Sequence, residues 1–223
     1  MSDNKRYSIG FLASNEGVLF EKTVLACKAG ILNADVNVLI ANNADAPCIK
    51  RAGNQGVPVH LIDTPKGQAE RYTDDILRCL EHYRPDLIVI TFDRLLGNAF
   101  VKKYYGKAVN LHLSLLPAFR GVDPCKNAVL AGVRYAGATM HFIDEGVDSG
   151  PIVSQVVVPC PPDMDEQRLF VAYGEVIESF VLNTIDFFVR GGVRLIDKKV
   201  FIDGADFESF PASPSIQERF KKR

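Results

Sequence analysis

Short apolar runs alternate with helically periodic stretches from Tyr7 to about residue 112, and this alternation narrows the possible folds more than any other feature of the chain. Tyr7–Ala13 reads as a core strand. After it, Phe20, Val24, Cys27 and Ile31 recur at helical spacing, and Asn33 closes the segment. Val36–Ile40 is a second strand, a short helix follows near Ala46–Gln55, and Val57–Ile62 is a third strand. Ile76, Leu77, Leu80 and Tyr83 mark another helix, which Pro85-Asp86 stops before Leu87–Ile90. A run so short and so apolar is typical of a strand covered on both faces. Strands separated by helices predict a parallel sheet wound by right-handed crossovers.

Beyond residue 112 the rhythm changes. Lys126–Ala131 reads as helix, and Ala138–Ile143 and Pro151–Val158 read as an antiparallel pair of strands. The longest helix puts Phe170, Tyr173, Ile177, Phe180, Thr184 and Phe188 on one face and ends at Gly191-Gly192. A hairpin spans Val193–Phe201, and the Pro211–Pro214 stretch is expected to be loosely held. The expected architecture is a Rossmann-like α/β fold: a mostly parallel central sheet, helices on both faces, and an antiparallel C-terminal extension. Residues 1–207 are expected to form a single catalytic domain and residues 208–223 a tail.

Composition narrows the function classes. With 223 residues, 47% of them apolar, the chain can bury a sizeable core. Basic and acidic residues nearly cancel, 26 against 27, so no nucleic-acid partner is advertised. The basic run Arg219–Arg223 reads as a frayed, solvated tail rather than a binding arm. No apolar run approaches the roughly 20 residues of a membrane span, and Met1–Arg6 does not read as a signal peptide. Cys27, Cys48, Cys79, Cys125 and Cys160 are scattered and lack a C-x-x-C pairing, as expected of reduced thiols rather than a disulfide frame or zinc site. The expectation is a soluble cytoplasmic protein with no membrane partner, monomeric or homodimeric.

Ligands of open α/β sheets sit beyond the carboxyl ends of the strands, and three loops there carry chemistry. Ala13-Ser14-Asn15-Glu16-Gly17 lacks the G-x-G-x-x-G pattern; an ordinary capped turn and an anion loop are both open. Glu16 brings a negative charge, and two unit charges about 5 Å apart repel by about 3 kcal/mol at an effective dielectric near 20. The second loop follows Asn110-Leu-His112-Leu-Ser114-Leu-Leu-Pro117, where amide and imidazole two residues apart share one strand face. The third, Asp144–Gly150, offers the carboxylate of Asp148 in a glycine-punctuated turn without calcium-loop spacing. A structural histidine, a turn-forming asparagine and a solvated acidic turn account for the same residues. Brought together, amide, imidazole and carboxylate are suited to polarising a carbonyl and moving a proton.

Asn110-x-His112-x-Ser114-Leu-Leu-Pro117, Phe119-x-Gly121, Gly137-Ala-Thr-x-His141-Phe142 and Asp148-x-Gly150-Pro151-Ile152 closely resemble the 10-formyltetrahydrofolate-dependent formyltransferase family. The resemblance runs from about Ser8 to Gly192 and implies the formyltransferase fold. It implies that Asn110, His112 and Asp148 are the catalytic set, with 10-formyltetrahydrofolate as formyl donor and no metal. Asn110 and a protonated His112 would donate to the developing oxyanion, and Asp148 would favour the imidazolium and relay the amine proton. Arg94, Leu95 and Leu96 resemble the stretch whose backbone holds the pterin, and Ile143, Asp144, Glu145 and Gly146 the loop that closes its other side.

For the acceptor, the resemblance to glycinamide ribonucleotide transformylase of purine biosynthesis extends to Ala41–Ala46 and to Glu175, matching a glutamate directed at the acceptor amine. It places Asn15, Gly17 and Ser114 on the acceptor side. The chain departs from that enzyme in its first loop, where a Gly-Asn-Gly-Ser-Asn phosphate cradle is replaced by Asn15-Glu16-Gly17-Val18-Leu19. Leu113 also replaces a proline. Leu116-Pro-Ala-Phe119-x-Gly121-x-x-Pro124 with Gly137-Ala-Thr139 is similar to formyltetrahydrofolate hydrolase, whose acceptor is water. Arg120-Gly121-x-x-Pro124 is similar to methionyl-tRNA and amino-sugar formyltransferases. A small-molecule amine is the expected acceptor, an amino sugar or water being alternatives, and a folate- or nucleotide-binding module without turnover is the alternative outside the enzyme class.

Overall fold

The computed structural model describes residues 6–65 and 67–221. Met1–Lys5, Lys66, Lys222 and Arg223 lie outside the described residues, and with them parts of the expected polar start and basic tail. The chain divides into two compact units, residues 1–109 and 110–223.

In the first unit, β1 (Tyr7–Ala13), α1 (Val18–Lys28), β2 (Ala34–Ala41), α2 (Pro47–Gln55), β3 (Val59–Leu61), α3 (Ala69–Tyr83), β4 (Leu87–Thr91) and α4 (Asn98–Tyr104) alternate as the apolar runs predict. The strands lie in the order β3-β2-β1-β4, and every pair is parallel, with Phe11 opposite Leu39 on one side and Val89 on the other. Ile9, Phe11, Leu12, Leu39, Ile40, Leu87, Ile88 and Val89 are all buried, which is why these strands read as continuous hydrophobic runs. Two boundaries differ from expectation. Helix α1 stops at Lys28, so Ile31 is exposed, and the fully buried Leu32 fills the inward position instead. Strand β3 begins only after Pro58, which has no N–H to donate to a ladder. Helix α4 was not anticipated. It is barely two turns long, too short for its buried Phe100, Val101 and Tyr104 to establish a period.

Strand β5 (Ala108–His112) spans the division. The second unit then holds α5 (Pro124–Leu130), β6 (Tyr135–Phe142), β7 (Ile152–Pro159), α6 (Glu166–Val189), the antiparallel hairpin β8 (Val193–Ile196) with β9 (Lys199–Ile202), and β10 (Ala212–Ser213). Strands β6 and β7 pair antiparallel, as expected. Asp165 caps α6 by accepting a hydrogen bond from Arg168 N–H at 2.7 Å. Tyr173, Phe180, Thr184 and Phe188 are buried, but Phe170 is 58% exposed, because the apolar stripe is narrower at the first turns than its spacing implies.

The end of the chain is not loose, contrary to the expectation for Pro211–Pro214 and the basic run. Strand β10 pairs with β7 at Val156 and Gln155, and Val157 N–H donates to Pro211 O at 2.8 Å. Asn183 accepts from Gln217 N–H at 3.0 Å, Arg219 and Arg190 both pair with the buried Asp186, and Phe220 is buried. Sequence reading counted the positive charges of the tail but had no view of the buried acid on α6 that needs them. Among the described residues no helix is long and apolar enough to cross a membrane.

Candidate active site

Three elements of the second unit converge on Asp148. Strand β5 ends at His112, which is 7% exposed; β6 contributes His141, 2% exposed; and the loop between β6 and β7 supplies the acid. That loop can fold back because of Gly150. A Cβ there would lie 1.8 Å from the Phe142 carbonyl oxygen, so no other residue fits. The turn is closed internally by Asp144, whose carboxylate accepts from Gly146 N–H at 3.1 Å and Ser149 Oγ at 2.7 Å. Asp148 itself has φ 48°, a left-handed conformation that costs a non-glycine residue about 1–2 kcal/mol. Its carboxylate points inward, toward His112 and His141.

The distances define a connected set. Asp148 Oδ2 is 3.3 Å from His112 Nδ1 and accepts from Gly121 N–H at 2.8 Å. Asp148 Oδ1 is 3.6 Å from His141 Nε2, and Asn110 Nδ2 is 3.3 Å from the same nitrogen. His141 Nδ1 lies 2.9 Å from Phe142 O, which makes that nitrogen the donor. Burial works to raise the Asp148 carboxyl. The pull of His141, the Gly121 N–H and the charge of His112 outweigh it, and the group titrates below the ordinary aspartate value. Asp148 is therefore an anion at neutral pH.

His112 is held at both nitrogens. Its Nε2 donates to Phe119 O at 2.8 Å while Nδ1 faces Asp148. The segment carrying Phe119 is braced from within: Ser114 Oγ donates to Ala118 O at 2.5 Å, and Thr139 Oγ1 donates to Ser114 O at 2.7 Å. Phe119 and Asp123 both have positive φ. The structure thus brings together Asn110, His112 and Asp148. His141 joins them; in the sequence it stands only as one position of Gly137-Ala-Thr-x-His141-Phe142, with no role attached. The available signal was its period-2 spacing from Thr139, which puts both on one face of β6.

The other expected residues stand apart from these bonds. Ser114 spends its hydroxyl within its own loop. Glu175 is exposed on α6 and takes no part in the hydrogen bonds of the set. Glu145 and Gly146 are exposed at the turn that Asp144 holds, beside a half-buried Ile143.

In the first unit, Asn15 is exposed and its carbonyl accepts from Cys48 N–H at 3.3 Å. Gly17 caps α1 at φ 67°, where a Cβ would meet Cys48 Cβ at 2.3 Å. Glu16 turns toward Arg51, 3.7 Å away, whose guanidinium also pairs with Glu21. Arg94 donates to Thr64 O and lies over the Tyr72 ring at 5.1 Å, Leu95 is 68% exposed, and Leu96 is half-buried. Beside them stands a group not anticipated: Asp93 Oδ1 accepts from Ser14 Oγ at 2.6 Å and Asn42 Nδ2 at 2.7 Å. An acid two residues after the end of β4, at the ligand edge of the sheet, was the signal for it.

The chain is similar to known proteins of one family. The chain is 37% identical over 174 residues to the trifunctional purine biosynthetic protein adenosine-3 of Drosophila melanogaster, covering 76% of the chain but only 13% of that protein. It is 32% identical over 180 residues to formyltetrahydrofolate deformylase 1, mitochondrial, of Arabidopsis thaliana, covering 79% of the chain and 54% of the relative. The crystal structure of glycinamide ribonucleotide transformylase 1 from Symbiobacterium toebii superposes with a TM-score of 0.84 at 28% identity, covering 90% of this chain and 95% of that one. Residues 7–181 match the formyl transferase family model, and a match over that much of the sequence means that the chain belongs to the formyl transferase family.

Proposed function

We propose that the protein transfers the formyl group of 10-formyltetrahydrofolate to a small-molecule amine, with Asn110, His112 and Asp148 as catalytic residues. The observation that carries the reading is the Asp148 carboxylate, 3.3 Å from His112 Nδ1 and linked to Asn110 through His141. An amine nitrogen attacks the formyl carbon, and the carbonyl electron pair moves to oxygen. Donors at Asn110 and His112 stabilise that charge. The intermediate collapses by breaking the bond to N10 of the folate. The surplus amine proton passes through Asp148, directly or by water, to the departing nitrogen. His112 takes part by exchanging the Phe119 carbonyl for the formyl oxygen on Nε2.

Arg94, Leu95, Leu96 and Ile143, Asp144, Glu145, Gly146 are the proposed folate-binding segments; Asn15, Gly17, Ser114 and Glu175 are proposed for the acceptor. The first loop supports an acceptor other than a phosphoribosyl amine. The chain carries Glu16 there, and no row of glycine and serine donors. The test is tetrahydrofolate release followed by absorbance with candidate amines. Asn110→Ala and His112→Ala are each expected to cost about 10²–10³ in rate or more with an unchanged circular dichroism spectrum. Near wild-type turnover in either variant would falsify the assignment. The likeness to the Arabidopsis deformylase supports hydrolysis as a second reading. Release of tetrahydrofolate with water alone, unaffected by amines, favours that reading.

A further inference from the structure

We propose that Thr139, seconded by Gln155, is a positioning residue for His112 and Asp148, acting through the loop, residues 113–121, whose backbone touches both. The inference deepens the formyl-transfer reading and rests on it. The loop supplies one backbone partner to each of the two groups. Phe119 O accepts from His112 Nε2 at 2.8 Å, and Gly121 N–H donates to Asp148 Oδ2 at 2.8 Å. A shift of the loop therefore disturbs imidazole and carboxylate together. Its underside rests on one face of β6, which Gly137, Thr139 and His141 share by the period of a strand. Leu115 comes so near Gly137 that a Cβ there would stand 2.6 Å from Leu115 Cδ2.

The Thr139 hydroxyl is fully committed to this loop and its neighbour. A hydroxyl has one proton to give and two lone pairs to receive, and Thr139 is wholly buried. Leu116 N–H donates to it at 3.1 Å and Gln155 Nε2 at 3.0 Å. Its own proton goes to Ser114 O, 2.7 Å away. Gln155 stands opposite Thr139 in the β6–β7 pair, so the two side chains share a face, and its Nε2 also donates to Leu116 O at 3.0 Å. The loop is thereby pinned at Ser114 O, Leu116 N and Leu116 O, and Tyr173 Oη holds Leu113 O at 3.3 Å. Solvent does not reach Thr139, so removing its hydroxyl breaks two of these pins with no water to replace them. The residues beyond the pins are those that hold His112 and Asp148.

The experiment compares, in the full chain, Thr139→Val, which keeps the branched shape without the hydroxyl, and Thr139→Ser, which keeps the hydroxyl. Nuclear magnetic resonance reads solvent exchange of the His112 Nε2 proton and of the Gly121 amide. In Thr139→Val both are expected to exchange at least about tenfold faster, as for a locally loosened segment. The kcat for formyl transfer is expected to fall about 10–10²-fold, the effect of a small misplacement of reacting groups, with KM for the folate little changed. Thr139→Ser restores all three readings. Gln155→Met moves them in the same direction by less, and carries the test if Thr139→Val does not fold. Thr184→Val is the matched control: Thr184 is equally buried, but its hydroxyl bonds Ser154 Oγ and Phe180 O, outside the loop. It is expected to lower Tm and leave both protons and kcat at wild-type values. Unchanged exchange in Thr139→Val and Gln155→Met overturns the proposal. So does a rate loss that Thr139→Ser fails to restore or that Thr184→Val reproduces. A wild type that releases tetrahydrofolate with neither amine nor water counts against the formyl-transfer reading instead, and the exchange rates then decide by themselves whether Thr139 holds the two side chains.

Discussion

Asp93 in the first unit and Asp148 in the second are both aspartates held ionised in a loop that follows a strand, yet their partners differ in kind. Asp93 is fixed by a hydroxyl and an amide, neither of which titrates near neutral pH. Asp148 is fixed by two imidazoles and a backbone N–H. A carboxylate among neutral donors is a permanent charge, good for selecting what binds. A carboxylate between histidines can trade protons with them, and that is what a transfer reaction requires. The residue type is the same; the neighbours decide whether its charge is fixed or open to proton exchange.

His141→Gln breaks this contrast most sharply, because it leaves Asp148 with one imidazole. We expect kcat/KM to fall about 10–10²-fold and the acid limb of its pH profile to move, since His141 acts through Asp148 and Asn110 rather than on substrate. A rate loss with an unmoved profile would make His141 a packing residue only. Gly150→Ala tests how the second unit aims its acid. The added methyl cannot coexist with the Phe142 carbonyl, and overpacking of this kind costs about 1–3 kcal/mol, read as the urea midpoint, together with most of the activity.

Acid titration gives the smallest effect and the cleanest separation. Both aspartates have folded values below the ordinary value of about 4, so each stabilises the fold above that pH. The contribution is lost as pH falls through the depressed folded value. Asp93→Asn and Asp148→Asn should each flatten the decline in stability below about pH 4, but only Asp148→Asn should also alter the pH–rate profile. A changed rate profile in Asp93→Asn would erase the distinction drawn between the two sites.

How far these features could be read in advance follows physical lines. Leu87–Ile90 and Tyr7–Ala13 were legible because a strand buried on both faces leaves an uninterrupted apolar run. Asn110, His112 and Asp148 were legible as a set through family resemblance, and their local spacing agreed with shared strand faces. His141 was hidden because an imidazole deep in β6 looks the same in sequence whether it packs or positions. Asp93 was hidden for a different reason. Its meaning depends on Ser14 and Asn42, which are 79 and 51 residues away in the chain. The order of residues 211–220 was missed likewise, since Asp186 reads as one more polar position on a long helix until its two arginines arrive.

The hydrogen bond from His112 Nε2 to the Phe119 carbonyl has a kinetic meaning of its own. A backbone oxygen parked on the imidazole is a resident rival, tethered and always present at high effective concentration. Any incoming oxygen wins that nitrogen only by ousting it, so apparent affinity is diminished by the fraction of time the rival holds on. On the proposed formyl-transfer reading, the same bond would cost the protein some of its grip on the substrate oxygen.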